Sequence, residues 1–226
     1  DVPASQGGAL SILNDFYEEI VHHNNKDIEW IFVLSKPSLK ETENVKVLRF
    51  PWIKKSWLHR IFFDQFIAPK LVKNVRPDKI FSLQNVIVPK VKVEQVVYVH
   101  QSLPFIDYRF NFSEDKILWI NQNILNRFIF KSIRKSQKVL VQTNWIKKAC
   151  VEKLGVNESK IVVIPPKVHL DIINQFEENE INRSTFFYPA AENFYKNHRL
   201  IVEACEQMVC SAGPRFEVIF TLKGDE

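Results

Sequence analysis

Glycine is scarce in this chain: 5 in 226 residues, against an average usage of roughly 7%. Each one is therefore expected where the backbone itself needs it. Cysteine is scarce too, with 3. Cys150, Cys205 and Cys210 form an odd set without metal-like spacing, so they read as packing residues of a reducing compartment. Long apolar runs are missing. No stretch approaches the 18 or so residues of a membrane span, and the mean hydropathy is −0.16. The N-terminus is acidic, then small and polar, which does not read as a secretory leader. Internal repeats and low-complexity segments are absent, as are the two familiar phosphate fingerprints, GxGxxG and GxxxxGK. Together these absences point to a soluble cytoplasmic protein.

Apolar residues make up 46% of the sequence, enough for a sizeable core. The net charge of +5 and pI of about 9.0 favour an anionic partner without choosing among membrane, nucleotide and nucleic acid. Helical and strand periods alternate. A first helix is predicted from Ala9 to His22, then strands "IEWIFVLS" (28–35) and "VKVLRF" (45–50). A basic-aromatic helix follows over Ser56 to Asn74, interrupted near Pro69. "DKIFSLQN" (78–85) and "EQVVYVH" (94–100) are strand-length runs with polar ends. A long helix spans Glu114 to Lys135. Strand "KVLVQT" (138–143), helix Asn144 to Leu154 and strand "KIVVIPP" (160–166) complete this part, with Gly155 as a left-handed C-cap. The alternation predicts an α/β fold with a parallel, doubly wound sheet. The polar stretch 169–184 reads as an inter-domain crossover. Residues 185–226 open a second unit: strand "TFFYPAA", helix "HRLIVEACEQMVCSAG", strand "FEVIFTLKG". A strand is expected before Gly7-Gly8, and nothing within the sequence supplies it. One βαβ unit is also too little to stand alone, so the chain reads as a fragment at both ends, inactive by itself.

Several residues sit where ligands gather in such folds, outside the carboxyl ends of the strands. Gly7 and Gly8 precede a helix, where backbone N–H groups can meet an anion, although a ligand-free tight turn needs glycine equally. His100 ends "VVYVH" and suits hydrogen bonding or proton transfer; a structural histidine is the competing reading. Ser82 and Asn85 end "FSLQN", and Gln101 follows His100. Thr143 and Asn144 in "VQTNW" suit helix capping as well as a ligand rim. Lys196 lies after a strand and before a helix, where its point charge could meet a phosphate. In "RFPWIKKSWLHRIFFDQFIAPKLVKNVR", Trp57, Arg60, Phe62 and Phe63 are candidate contacts to an anionic membrane. The same helix could equally cover the sheet with its charges solvated. No nucleic-acid recognition motif accompanies it.

In order along the chain, "GGALSILNDFYEEI", "FSLQNVIVP", "YVHQSLPF", "VQTNWIKKACVEKLGV…KIVVIPP" and "FFYPA…YKNH…IVEA" resemble the GT-B glycosyltransferases of family 4 (glycosyltransferase group 1), of the bacterial surface-polysaccharide type. The resemblance implies two Rossmann-like domains facing a cleft: an acceptor-side domain over 1–168, a crossover over 169–184, and the start of a donor-binding domain over 185–226. It implies a retaining hexosyltransferase that takes a UDP- or GDP-linked sugar, with no cofactor and no metal. The acceptor would be a glycan or a lipid-linked molecule, and the enzyme would be cytoplasmic, peripheral on the inner face of the cytoplasmic membrane. Gly7 and Gly8 would approach the donor, His100 would lie near the transferred sugar, and Lys196 would neutralise the leaving diphosphate. The family's Arg a few residues before that Lys is replaced by Ala191, leaving Lys223 or a later cation to substitute. Its paired Glu motif is expected beyond Glu226. A GT-B-like sugar-nucleotide epimerase is the alternative within the fold, but its chemistry needs carboxylates where these strand ends offer His and amides. A non-enzymatic basic membrane- or partner-binding module is the alternative outside it.

Overall fold

The computed structural model describes residues 8–167, 185–190, 192–210 and 216–222. Gly7, Ala191, Lys223 and the 169–184 crossover lie outside these residues. Two compact units divide the chain at Val168 and His169.

In the first unit every named strand pair is parallel. β1 (Trp30–Leu34) pairs with β2 (Val45–Arg49), from Trp30 opposite Val45 to Leu34 opposite Arg49. A second sheet has the order β3 (Lys79–Ser82), β4 (Glu94–Val99), β5 (Lys138–Val141) and β6 (Ile161–Val163). The strands read as near-continuous apolar runs because parallel strands are covered on both faces. Val97, Val99, Val139 and Val141 are fully buried. They pack with Ile129 and Ile133 of α5 (Asn126–Lys135) and with Ile146, Ala149, Cys150 and Leu154 of α6 (Asn144–Leu154). Burial alone pushes the Cys150 thiol up to about 12, so it is an inert packing group.

The α/β class expected from the alternation is the one observed, a Rossmann-like parallel arrangement. The single sheet is not. Among the described residues, hydrogen bonding joins β1 only to β2 and β3 only to β4. Side chains make the connection instead. Phe16 of α1 (Gly8–His23) has its ring 5.4 Å from Trp30, 6.2 Å from Phe32 and 4.8 Å from Phe81. It therefore touches both sheets, while Leu13 and Ile20 of the same helix pack on Phe32, Leu34 and Val45. A separate cluster of Ile53, Phe63 and Ala68 gathers Val33 of β1 and Val88, which follows β3.

Pro69 does not interrupt its helix. α2 (Trp57–Phe62), a π turn (Phe63–Ile67) and α3 (Ala68–Val75) run on without a gap. Pro69 falls in the first turn of α3, where its missing N–H removes little. The irregularity is the π turn just before it. The long helix has the same construction: α4 (Lys116–Ile120), a π turn (Asn121–Leu125) and α5. Asp115 caps its start, accepting from the N–H groups of Ile117 and Leu118 at 2.8 and 2.9 Å.

The second unit holds β7 (Thr185–Tyr188) parallel to β8 (Glu217–Phe220), with α7 (His198–Cys210) between them in sequence. The His198 ring lies 5.2 Å from Tyr188 and 5.5 Å from Phe220.

Gly155 closes α6 at φ 64°, and its N–H donates to the Val151 carbonyl at 2.9 Å. A Cβ there would meet nothing within 4 Å. The cost of Gly155→Ala is therefore conformational and not steric crowding. Chemical denaturation of Gly155→Ala is expected to show a loss of about 1 kcal/mol, with Gly155→Asn losing less.

Candidate functional site

Parallel pairing of β3 with β4, Ser82 opposite Val97, brings the carboxyl ends of both strands to one edge. The turn after β3 is built on side-chain oxygens. Ser82 Oγ donates to the Val86 carbonyl at 2.6 Å and accepts from Gln84 N–H at 3.3 Å. Asn85 then takes the left-handed backbone conformation, φ 63°, which asparagine tolerates better than most residues. Its N–H donates to the Tyr98 carbonyl at 3.3 Å.

Asn85 is 9% exposed, and its amide faces the end of β4. Oδ1 accepts from the backbone N–H of His100 at 2.9 Å and of Gln101 at 3.1 Å. Nδ2 lies 3.1 Å from His100 Nε2. Because two donors fix Oδ1, the amide presents hydrogens to His100, and Nε2 is the acceptor. Burial holds the His100 pKa below the ordinary value, and a hydrogen bond to the Leu83 backbone partly opposes this. Tyr98 stacks on the ring at 6.1 Å. Its hydroxyl is raised first by burial, against a hydrogen bond to Gln142, so β4 and the residue after β5 are linked at this edge.

Ser82, Asn85, His100 and Gln101 thus form one cluster. Thr143 and Asn144 lie at the end of the neighbouring strand β5. Thr143 Oγ1 accepts from Ile146 N–H at 3.2 Å, a helix N-cap, and Asn144 is the first residue of α6. Gly8 is the first residue of α1. Among the described residues a Cβ built on it would meet nothing within 4 Å. In the second unit Lys196 ends a short 3-10 turn, its Nζ 5.4 Å from the Tyr195 ring centre. Its carbonyl accepts from Tyr188 Oη at 2.8 Å. Among the described residues no three His, Cys, Asp or Glu side chains converge as a metal set.

The basic-aromatic segment divides. Trp57 and Phe62 are about half exposed, together with Leu58, Ile61 and Phe66. Phe63, expected among the membrane contacts, is 3% exposed and packs with Ile53 and Ala68. It belongs to the core because successive helix residues point about a hundred degrees apart, so Phe63 faces inward where Phe62 faces out. Arg60 reaches inward as well, to Asp64 at 2.7 Å and Gln84 at 3.1 Å. Trp52, Leu58, His59 and Phe62 line an open groove of about 580 Å³. Burial, then the like charges of Arg60 and Lys36, lower the Lys54 pKa. Leu58 and Ile61 were not singled out from the sequence, although their spacing with Phe62 is that of one helix face.

The model of Glycosyltransferase Family 4 matches residues 25–172, about two thirds of the chain. The chain belongs to glycosyltransferase family 4. No curated protein matches it. The family match includes the whole Asn85–His100–Gln101 cluster together with Ser82, Thr143 and Asn144. It leaves out Gly7, Gly8 and Lys196. Among the described residues of this glycosyltransferase chain, no helix is long and apolar enough to cross a membrane.

The depressed His100 pKa gives this family 4 chain a pH signature. The unfolded ring takes a proton near pH 6.5, while the folded ring resists it. Stability is therefore full above that value and falls as the pH drops below it, by at most about 1.4 kcal/mol per pH unit for one proton. Urea midpoints of the chain are expected to fall more steeply between about pH 7 and 5 than those of His100→Gln.

Proposed function

We propose that this chain belongs to a retaining glycosyltransferase that moves a sugar from a UDP- or GDP-linked donor to a polysaccharide or lipid-linked acceptor in cell-surface polysaccharide synthesis. The observation that carries the reading is the family match over a polar cluster at the carboxyl ends of parallel strands, where ligands of open α/β sheets bind. In this reading the anomeric bond to the diphosphate breaks, the bond to the acceptor oxygen forms on the same face of the sugar, and the acceptor hydroxyl's proton passes to the departing diphosphate oxygen. His100 is assigned to the transferred sugar. Ser82, Asn85, Gln101, Thr143 and Asn144 are assigned to the rim that receives acceptor and sugar hydroxyls. Gly7 and Gly8 let N–H groups at the start of α1 approach the donor. Lys196 meets the charge that builds on the leaving diphosphate, where a preorganised cation acts most strongly.

The test is nucleoside diphosphate release from a panel of UDP- and GDP-sugars by the protein carrying this chain. His100→Ala and Lys196→Ala are each expected to lower turnover by about 10²-fold while the protein stays folded. Wild-type rates in both variants would overturn the assignments, and an inverted anomer in the product would remove the retaining mechanism.

The exposed stripe of Trp57, Leu58, Phe62 and Phe66 beside Lys54 supports a second element of the proposal, a peripheral site on an anionic membrane at its cytoplasmic face. Sedimentation with vesicles containing phosphatidylglycerol, compared with phosphatidylcholine alone, tests it. The double variant Trp57→Ala, Phe62→Ala is expected to weaken binding to the anionic vesicles by roughly 10-fold or more. Equal binding of both proteins would exclude this face.

A further inference from the structure

We propose that Asn85 is a positioning residue that holds His100 as a neutral ring with its proton on Nδ1, so that His100 serves the site as a fixed polar surface and not as a proton donor or acceptor. The proposal rests on the reading above only in treating His100 as a site residue; its geometry stands independently.

Three contacts carry it. The carbonyl oxygen of Asn85 is claimed by two backbone donors, His100 N–H at 2.9 Å and Gln101 N–H at 3.1 Å. Rotating the amide would break both bonds and set Nδ2 against two N–H groups, so its orientation is locked. With that orientation Nδ2 faces Nε2 at 3.1 Å, and a donor can only be met by an unprotonated nitrogen. The proton of the neutral ring then belongs on Nδ1. The hydrogen bond to the Leu83 backbone favours the protonated form of the ring, as expected when the ring is the donor. Protonating Nε2 would bring two donors face to face inside a largely buried cluster.

The surroundings add no charge that reverses this. Tyr98 of β4 is the titratable side chain stacked on the ring, and burial raises its own pKa. Asn85, from the turn after β3, is neutral. No charged side chain among the described residues enters the causes that shift His100. The left-handed backbone of Asn85 belongs to the same device: φ 63° aims the short side chain back at the end of β4, a conformation that glycine can keep without the amide.

The test reads the ring itself. Long-range 1H–15N correlation spectra of the labelled chain, with His100 assigned by its disappearance in His100→Gln, report which nitrogen carries the proton. The wild type is expected to show Nδ1 protonated and Nε2 unprotonated, with its titration below the ordinary histidine range. Asn85→Gly retains the backbone and removes the amide. It is expected to release the tautomer and move the titration up by about one unit or more. Asn85→Asp puts a carboxylate against Nε2 and is expected to give a doubly protonated ring at neutral pH. A wild-type ring protonated on Nε2, a wild-type titration near the ordinary value, or an Asn85→Gly spectrum identical to wild type would each overturn the proposal. Should Asn85→Asp fail to fold, the wild-type series and Asn85→Gly decide. Because the readout is a ring nitrogen and not turnover, loss of the transferase reading would leave this result standing, and the converse also holds.

Discussion

Two backbone N–H groups at the end of β4, those of His100 and Gln101, converge on the single side-chain oxygen of Asn85, and the candidate site depends on that convergence. A strand end leaves its next donors without ladder partners, and orphaned N–H groups in a partly buried place are costly. Asn85 satisfies two of them at once from the turn after the neighbouring strand. The same contact fixes the direction of the amide, the acceptor role of Nε2, and the path of the chain beyond β4. Ser82 supports it from beneath by tying its own turn to Val86. The edge is therefore held by side chains of residues 82 to 101, in addition to the sheet.

The helical segment that packs on Val33 of β1 shows how helix geometry sorts chemistry. In a helix, neighbours such as Phe62 and Phe63 diverge by about a hundred degrees, and residues three or four apart share a face. Phe63 turns into the cluster with Ile53 and Ala68, whereas Phe62 and Phe66 remain outside, their rings 5.5 Å apart. Arg60 is drawn inward to Asp64 and Gln84, so the outward face is more apolar than its composition suggests. The cationic character beside it comes from Lys54.

What could be read from the sequence was what is set locally. The apolar run Glu94–Val99, the cap pair Thr143 and Gly155, and the periodicity of α1 each depend on a few adjacent residues, and all were found within a residue or two. What could not be read depends on residues far apart or on small backbone departures. The split into two hydrogen-bonded sheets joined by Phe16 has no local signal. Neither has the packing of Phe63 on Ile53 and Ala68, which the aromatic-basic pattern assigned outward. At the candidate site the strand-end position of Asn85 and His100 was legible, but their direct bond was not, because it needs the left-handed turn at Asn85. His198 was passed over, since its setting between Tyr188 and Phe220 joins residues separated by more than twenty positions.

The distribution of charge between the units bears on the proposed chemistry. The cluster at the end of β3 and β4 is made of Ser, Asn, His and Gln, and burial disfavours the charged form of the His. Neutral donors and acceptors suit hydroxyl groups, which need direction and not charge. A leaving diphosphate needs the opposite, a fixed cation where negative charge accumulates. Lys196, its Nζ beside the face of Tyr195, is a group of that kind in the second unit. In the proposed reading, a neutral His100 is what recognition of sugar hydroxyls requires, because a charged ring would favour anions over hydroxyl groups.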